Sequence, residues 1–368
     1  TTGIGHTRWA THGAPSDRNA HPHLDCRGRI AVIHNGIIEN FSSLKDQLRR
    51  AGHRFRSETD TEIVAHLLEA SYRGSLEKAL RAAARRLKGQ YVLVAVSADE
   101  PGVVVGIRQG PPLLVGFGKD GNFLASGIPA FLPWTKRFLA LEDGEMARLS
   151  AGGISITDAA GRRVHRAPET ADWSLEQSEK EGYPTFMLKE IHEQPKALLD
   201  TLQGRELGLP PRLLAGVDRV HLVACGTAWY ASLVGRQWME SVAGIPATAE
   251  IASEFRYADP ILTPRSLVIA VTQSGETADT LAAVALARAK GARVLAVCNV
   301  VGSSIARAAH ASLLTRAGPE IGVASTKAYT TQLLTLMLLA LHIGQLRRHV
   351  PPALARVLLK DLLDAPRL

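Results

Sequence analysis

Val220-His221-Leu222-Val223-Ala224-Cys225-Gly226-Thr227 decides the fold of the second half of the chain. A short apolar run ends at a glycine and a hydroxyl side chain, which predicts a buried strand followed by a turn that opens a helix. The same rhythm continues downstream without hairpin turns, and it predicts a doubly wound α/β domain with a parallel sheet. The predicted strands are 220–225, 247–251, 267–272, 293–298 and 312–315, and the predicted helices are 229–242, 278–290, 303–309 and 325–343.

The first half of the chain has a different pattern. Short strand signals separated by glycine and proline turns accompany a group of helical segments, which is typical of an α+β domain. The polar, turn-rich stretch 167–189 is interpreted as a linker between a first domain, 1–166, and a second domain, 190–345, and 346–368 as the start of a further connection. The predicted strands of the first half are 30–33, 91–96, 103–105, 113–115 and 154–156, and the predicted helices are 41–51, 60–71 and 76–87.

Length and composition exclude several classes of protein. A length of 368 residues predicts about two domains, and a hydrophobic fraction of 46% with 21% charged residues is that of a globular chain. The net charge of +8 comes from scattered basic residues, so no nucleic-acid partner is expected. The longest apolar stretch, Leu333–Leu341, is too short to span a membrane, so no membrane partner is expected either.

The cysteines and the first residues bear on the compartment and the completeness of the chain. Cys26, Cys225 and Cys298 have neither the spacing of a disulfide framework nor that of a metal site, which favours a reducing cytoplasm. The start, Thr1–His6, has no initiator methionine and no signal peptide. We therefore expect an internal piece of a longer protein.

Two polar features of the first half each allow two interpretations. Asn35 and Gly36 follow a strand signal, so they could form a hairpin turn, or they could supply a side-chain amide and a backbone N–H that together stabilise an oxyanion. A group of histidines could indicate a metal site, but no carboxylate or thiol is regularly spaced with it, so no metal is expected. These histidines are His6, His12, His21 and His23.

Three turns of the second half follow predicted strands and carry many polar groups: Cys225–Thr227, Thr272–Thr277 and Glu320–Lys327. Ligands of parallel sheets bind at this edge, where glycines admit close backbone approach and helix N-termini favour an anion. The hydroxyl groups could instead serve only as helix caps. Because neither G-x-x-x-x-G-K-[ST] nor G-x-G-x-x-G is present, the pattern favours a sugar phosphate over a nucleotide.

These turns resemble the first sugar-isomerase domain of the glutamine:fructose-6-phosphate aminotransferase family, in the strings Ala224–Thr227, Gln273–Thr280 and Glu320–Ala328. The resemblance implies that they bind the phosphate and hydroxyl groups of a hexose phosphate. Ala228 and Thr272 stand where the family commonly has serine; Thr272 keeps a hydroxyl group, whereas Ala228 cannot donate a hydrogen bond. The implied sugar-phosphate residues are Cys225, Gly226, Thr227, Thr272, Gln273, Ser274, Thr277, Val323 and Ser325.

The first half resembles the glutamine amidotransferases whose nucleophile is an N-terminal cysteine, in the strings Arg8–Gly13, Asn19–His23, His34–Gly36 and Ser57–Glu62. The implied fold is a sandwich of sheets and helices, here incomplete. Asn35 and Gly36 would form the oxyanion hole. The resemblance also implies that Arg8 and Thr11 hold the glutamine carboxylate and that Asp60 holds its ammonium group. It further implies that His12 and His21 belong to the same glutamine pocket as a supporting shell, that Gly36 also binds glutamine, and that Trp9 helps to gate the ammonia path.

The resemblance covers nearly the whole chain but only the middle of the family's proteins. It implies transfer of the glutamine amide nitrogen to fructose-6-phosphate, with isomerisation to glucosamine-6-phosphate, by a longer homodimeric enzyme without cofactors. The nucleophilic cysteine and the second sugar-isomerase domain would lie outside this sequence, so we expect the chain alone to be inactive. Two alternatives remain open: a non-catalytic phosphosugar sensor, and a related glutamine-dependent or deglycase-type phosphosugar enzyme.

Overall fold

The computed structural model describes residues 2–8, 12–171, 180–203 and 207–367. The chain divides into two units, Thr1–Asp172 and Trp173–Leu368. The described part of the first unit contains a six-stranded and a four-stranded antiparallel sheet. Its helices are α1 (Phe41–Arg50), α2 (Glu62–Ser71) and α3 (Leu76–Ala84), and its strands are β1 (His23–Leu24), β2 (Ile30–Ile38), β3 (Gly89–Ser97), β4 (Val104–Gln109), β5 (Leu114–Phe117), β6 (Asn122–Ala125), β7 (Arg137–Ala140), β8 (Met146–Ser150), β9 (Gly153–Thr157) and β10 (Glu169–Thr170).

The larger sheet, in the order β1-β2-β3-β4-β8-β9, separates two layers of the first unit. Successive side chains of a strand point to opposite faces, so β3 contributes to both layers. Leu93 belongs to one buried cluster with Leu67 of α2 and Leu80 of α3. Val92 belongs to another with Val115 of β5, in the second sheet, whose order is β10-β7-β5-β6. Helices therefore cover one face and a sheet the other, an α+β arrangement as the sequence predicts.

The second unit alternates strands and helices. Its strands are β11 (Arg219–Ala224), β12 (Ala247–Ile251), β13 (Ser266–Val271), β14 (Arg293–Cys298) and β15 (Ala311–Leu314). They form one parallel sheet in the order β12-β11-β13-β14-β15. Its helices are α4 (Phe186–His192), α5 (Gln194–Gln203), α6 (Pro211–Leu214), α7 (Thr227–Ser241), α8 (Ala252–Phe255), α9 (Ala278–Ala289), α10 (Ser304–Ala308), α11 (Lys327–Leu346) and α12 (Pro352–Asp364).

Both faces of this parallel sheet are buried. On one face, Ile269 of β13 shares a buried cluster with Met239 of α7 and Leu336 of α11. On the other, Ala270 shares a cluster with Val284 of α9 and with residues of α8 and α10. Each fully buried aliphatic side chain contributes about 1.5–3 kcal/mol to stability. The doubly wound arrangement predicted from the sequence is present.

Several elements differ from the sequence-based predictions. Strand β2 continues to Ile38, five residues beyond its predicted end, because it pairs with β3 throughout. Helix α2 begins at Glu62 rather than at Asp60. The stretch 167–189 contains β10, which pairs with β7, and the first residues of α4. The domain boundaries drawn from the sequence remain a prediction.

Some elements carry no strong local signal and were not predicted. Most of them are short strands and helices whose apolar residues are too few to show a period. None of the helices in the described ranges combines the length and the apolar character that a membrane crossing needs. The elements missed are β1, β6, β7, β8, β10, α4, α5, α6 and α8.

Candidate functional site

A cavity of about 520 Å³ opens in the first unit beside the middle of β2. It combines residues from the start of the chain, from β2 and from the loop before α2. Six of the predicted glutamine-site residues line it, whereas Trp9 and Thr11 lie outside the described residues. The lining residues are Gly5, His6, Thr7, Arg8, His12, His21, His34, Asn35, Gly36, Thr59, Asp60, Thr61 and Ser126.

The Asn35-Gly36 pair lies inside β2, so its interpretation as a hairpin turn is wrong. Gly36 has φ of +107°, and a Cβ atom at this position would lie 2.1 Å from the carbonyl oxygen of Gln90. Only glycine fits this backbone without strain. The Asn35 oxygen Oδ1 contacts Nε2 of His6, so its NH₂ group is left to donate to another partner. Asn35 and Gly36 are therefore adjacent residues of the cavity wall, one with an amide NH₂ group and the other with a backbone N–H.

A guanidinium and a carboxylate line the same cavity. Arg8 has φ of +47° and donates to the carbonyl oxygens of His12, at 2.6 Å, and Gly13, at 3.0 Å. The Asp60 carboxylate is 2% exposed and accepts a hydrogen bond of 2.9 Å from the backbone N–H of Ile38. Opposite charges fixed on one small cavity match the carboxylate and the ammonium group of an amino acid.

Neutral histidines complete the polar wall. Nδ1 of His34 lies 2.9 Å from Oγ1 of Thr61, which in turn lies 3.2 Å from Nε2 of His21. The His21 ring stacks on His6 with 4.6 Å between centroids. Burial, helped by the neighbouring His6, lowers the pKa of His21 to about 3. Burial also lowers the pKa of His34 to about 4. Both rings are therefore uncharged at neutral pH and act as hydrogen-bonding groups.

The cavity wall also includes the predicted residue His12 and, among the unpredicted residues, His6 and Ser126. The His12 ring lies edge-on to Phe41, and its buried Nδ1 has no hydrogen-bond partner among the described residues. His6 was singled out only as one of several histidines, and its contact with Asn35 depends on a pairing across 29 residues. Ser126 also lines the cavity, and no local sequence signal points to it.

Among the described residues, no cysteine lines this cavity. Cys26, Cys225 and Cys298 are all free thiols. Cys298 ends β14, where burial raises the pKa of its thiol to about 11 and makes it a poor nucleophile. Cys26 instead contacts His53 and His66 in a separate cluster of side chains.

In the second unit, two of the three predicted turns lie side by side. Strands β11 and β13 are parallel neighbours with Ala224 opposite Val271, so Cys225 and Thr272 leave the sheet at the same edge. Gly226, with φ of +60°, precedes α7, and Thr227 is the first residue of that helix. The Thr280 hydroxyl, in α9, lies 4.0 Å from the Cys225 sulfur.

The turn Thr272–Thr277 is held by its own hydroxyl groups. Thr272 is 3% exposed, and its Oγ1 lies 3.1 Å from Oγ1 of Thr277 and accepts a hydrogen bond of 3.3 Å from the Gly275 N–H. The Ser274 hydroxyl accepts a hydrogen bond of 3.1 Å from the Glu276 N–H. Thr277 precedes α9 but makes no side-chain cap, which argues against capping as the sole role of these hydroxyls. Gln273 and Ser274 remain partly exposed.

The third turn is held by a carboxylate of its own. The Glu320 carboxylate accepts from the N–H groups of Thr326, at 2.9 Å, and Ala328, at 3.1 Å, and from the Ser325 hydroxyl at 3.0 Å. The start of α11 therefore already holds an anionic group of the chain itself, which the sequence did not predict. Val323, also predicted at the site, is 85% exposed.

The backbone of this third turn is held by α4 and its neighbour Glu193. The Glu190 carboxylate accepts hydrogen bonds from the N–H groups of Ile321, at 2.6 Å, and Gly322, at 3.0 Å. Lys327, which is 2% exposed, donates at 2.6 Å to Glu193. These two carboxylates fix the turn. They were not predicted from the sequence, because they lie about 130 residues upstream of it.

Comparisons with known proteins give a separate family match for each of the two units. A family model described as a glutamine amidotransferase domain matches residues 6–133, and one described as a SIS domain matches residues 213–342. The glutamine–fructose-6-phosphate aminotransferase (isomerizing) of Symbiobacterium thermophilum is 51% identical over 375 residues, 99% of this chain and 62% of that protein. A protein of the same name from Thermus thermophilus is 51% identical over 376 residues, 100% of this chain and 62% of that protein.

Among solved structures, the C-terminal domain of glucosamine-fructose-6-phosphate aminotransferase from Francisella tularensis is 35% identical, with a TM-score of 0.49; the match covers 52% of this chain and 56% of that one. The chain spans 62% of the length of the two curated relatives. By sequence, the chain is similar along nearly its whole length to glutamine–fructose-6-phosphate aminotransferases, and a match to a glutamine amidotransferase domain is followed by a match to a SIS domain.

Proposed function

We propose that the chain supplies the glutamine pocket and the phosphosugar edge of an enzyme that transfers the amide nitrogen of glutamine to fructose-6-phosphate, with isomerisation to glucosamine-6-phosphate. The observation that carries this proposal is the cavity in which Arg8, Asp60 and the Asn35-Gly36 pair meet. Relatives 51% identical along nearly the whole chain carry the corresponding name and support it.

The cavity groups fit the parts of glutamine. Arg8 would bind the α-carboxylate, together with Thr11, and the buried Asp60 would bind the α-ammonium group. The side-chain amide would then point towards Asn35 and Gly36. When a nucleophile attacks this amide, its carbonyl oxygen becomes negatively charged, and the two N–H donors would stabilise that charge. The uncharged His21 would support the pocket without repelling the ammonium group.

In the second unit, the phosphate and hydroxyl groups of the sugar would bind at Cys225–Thr227 and Thr272–Thr277. The N-termini of α7 and α9 both follow this edge, and their dipoles favour an anion there. The partly exposed Gln273 and Ser274 would contact the sugar, whereas the buried Thr272 would shape the turn. Val323 and Ser325 are proposed only as the outer boundary of this site, because the Ser325 hydroxyl is already bound by Glu320.

Other parts of the proposal rest on the sequence. Trp9 would gate the ammonia path between the two sites. The enzyme would be a cytoplasmic homodimer that forms through its SIS domains and uses no catalytic cofactor and no nucleic acid. Because no cysteine lines the described cavity, we propose that the chain alone binds glutamine without hydrolysing it. Light scattering of the purified chain tests the dimer directly.

Isothermal titration calorimetry of the purified chain tests the two binding functions. We expect heat on addition of L-glutamine but none with D-glutamine, because Arg8 and Asp60 fix the positions of both α-groups. We expect fructose-6-phosphate to bind and fructose not to bind, because the phosphate provides the charge that the helix N-termini favour. No glutamate should form during the titration. Equal heats from the two glutamine enantiomers, or from fructose and its phosphate, would contradict the proposed sites.

A further inference from the structure

A second group of reactive side chains lies in the first unit, and the proposed function makes no use of it. Cys26 follows β1, His53 follows α1, and His66 and Glu69 lie one turn apart on α2. Each offers one potential ligand atom, and the four atoms all lie within 4.8 Å of one another. The side chain of His66 is 1% exposed, that of His53 13% and that of Glu69 16%.

Four of the six distances between these atoms are close to those of a tetrahedral metal site. Sγ of Cys26 lies 3.7 Å from Nδ1 of His53 and 3.5 Å from Nδ1 of His66. Oε2 of Glu69 lies 3.0 Å from Nδ1 of His53 and 3.5 Å from Nδ1 of His66. A tetrahedral zinc ion, with bonds of about 2.0–2.3 Å, places its ligand atoms about 3.3–3.6 Å apart. An ion at the centre therefore requires only small movements of these side chains.

Neighbouring groups lie close to the potential ligands, in the places that supporting groups occupy around known metal sites. The Glu62 carboxylate lies 3.6 Å from Nε2 of His66, the ring nitrogen that faces away from the cluster. Glu62 is itself fixed by the N–H groups of Arg56, at 2.7 Å, and Ser57, at 2.6 Å. The Arg54 N–H points at the Cys26 sulfur from 3.4 Å. A carboxylate behind a ligating histidine fixes the ring and strengthens its bond to a metal.

We propose that Cys26, His53, His66 and Glu69 bind a zinc ion. One thiolate, two imidazoles and one carboxylate favour zinc over magnesium or calcium, which prefer oxygen ligands. Four protein ligands fill a tetrahedron and leave no position for a substrate, so the site is structural. The zinc ion joins the turn after β1, the loop after α1 and helix α2.

The zinc ligands His53 and His66 lie on either side, in sequence, of a segment that lines the glutamine cavity. His53 precedes, and His66 follows, the segment that contributes Thr59, Asp60 and Thr61 to the cavity wall. A zinc ion therefore fixes both ends of this segment. The ligands are spread over more than forty residues and share no metal-binding motif, which is why the sequence pattern alone did not indicate them.

Metal analysis of the full chain tests the proposal. The protein is purified without a histidine tag, dialysed against metal-free buffer and analysed by inductively coupled plasma mass spectrometry. We expect about one zinc ion per chain, and at least about tenfold less in Cys26→Ala and His53→Ala. Cys225→Ala and the exposed His165→Ala are the matched controls and should keep the metal.

Cobalt substitution provides a measurement that does not depend on the folding of a variant. Cobalt(II) bound by the unmodified chain should show the strong visible bands of a tetrahedral site and a near-ultraviolet charge-transfer band from the thiolate. The charge-transfer band should disappear in Cys26→Ala and persist in Cys225→Ala. A cobalt spectrum without the thiolate band, or a zinc content no higher than in Cys26→Ala, would overturn the proposal. The cluster would then be a network of hydrogen bonds only.

Discussion

The Asp60 carboxylate accepts a hydrogen bond of 2.9 Å from the backbone N–H of Ile38, two residues after Gly36 in the same strand. This bond joins the loop that carries the proposed ammonium site to the strand that carries the proposed oxyanion hole. One buried contact therefore connects the proposed ammonium site to the proposed oxyanion hole.

The substitution Asp60→Asn removes the negative charge of this residue but keeps its hydrogen bond to Ile38, so it tests the role of the charge alone. An asparagine oxygen can still accept from Ile38, but the negative charge beside the ammonium group is lost. Hydrogen bonds to charged groups contribute about 1.5–3 kcal/mol, so we expect the Kd for L-glutamine to rise about 10–100-fold. Calorimetric titration measures this change.

Asp60→Ala is the matched comparison, because it also leaves the buried Ile38 N–H without a partner. An unsatisfied buried donor costs about 1–3 kcal/mol, so only this variant should show a clearly lower free energy of unfolding. If Asp60→Asn bound L-glutamine as well as the unmodified chain does, the assignment of Asp60 to the ammonium group would be wrong.

Gly36→Ala should destabilise the first unit. The added Cβ would lie 2.1 Å from the Gln90 oxygen, at a φ of +107° that alanine avoids. Strain and overpacking together should lower the free energy of unfolding by about 2–5 kcal/mol, measured by urea denaturation. Gly102→Ala is the control: φ there is +81°, but no atom lies within 4 Å of the new Cβ, so the cost should be about 1–2 kcal/mol. Equal losses in the two variants would show that the close contact at Gly36 is unimportant.

The pattern of apolar residues predicts most of the regular structure, because strands and helices with long buried runs impose their period on the sequence. Strand β13 and helix α9 were predicted to within a residue of their observed bounds. Strand β2 was predicted too short, because Asn35 and Gly36 interrupt its apolar run and are typical of turns. Only the pairing of β2 with β3 keeps the strand extended through them.

The candidate site could be predicted only in part. Arg8, Asn35 and Asp60 were indicated by the resemblance of their local strings, and the cavity brings them together. Two contacts join residues that are far apart in the chain: that of His6 with Asn35, and the hydrogen bond that Glu190 accepts from Gly322 in the third turn. No local pattern records such pairings, because they arise from tertiary packing.

Acid should weaken the first unit through His34. Burial lowers the pKa of this ring to about 4, the Asp60 carboxylate opposes the shift, and His6, His12 and His23 reinforce it. Between pH 6.5 and pH 4, the His34 ring is protonated in the unfolded chain but not in the folded chain. The free energy of unfolding therefore falls as the pH falls. The loss of folding stability that His34 causes should reach about 3 kcal/mol at pH 4 and vanish above about pH 7.

Urea denaturation at several pH values between 4 and 7.5 measures this effect. His34→Asn keeps a polar atom near Thr61 but cannot titrate, so the stability of this variant should depend less on pH than that of the unmodified chain. His165→Asn changes an exposed histidine and should leave the pH dependence as it is. Parallel pH profiles for the unmodified chain and His34→Asn would show that His34 does not cause the acid sensitivity.

Thr272→Val should loosen the turn at the phosphosugar edge while keeping its shape. The methyl group fills the space of the hydroxyl, but the Gly275 N–H and the Thr277 hydroxyl both lose a partner. At about 1 kcal/mol per hydrogen bond, we expect a loss of about 1–2 kcal/mol in stability and about tenfold weaker binding of fructose-6-phosphate. Thr272→Ser, which restores the hydroxyl, should recover most of both losses. If valine and serine at this position gave the same Kd in calorimetry, the hydroxyl of Thr272 would have no part in shaping the site.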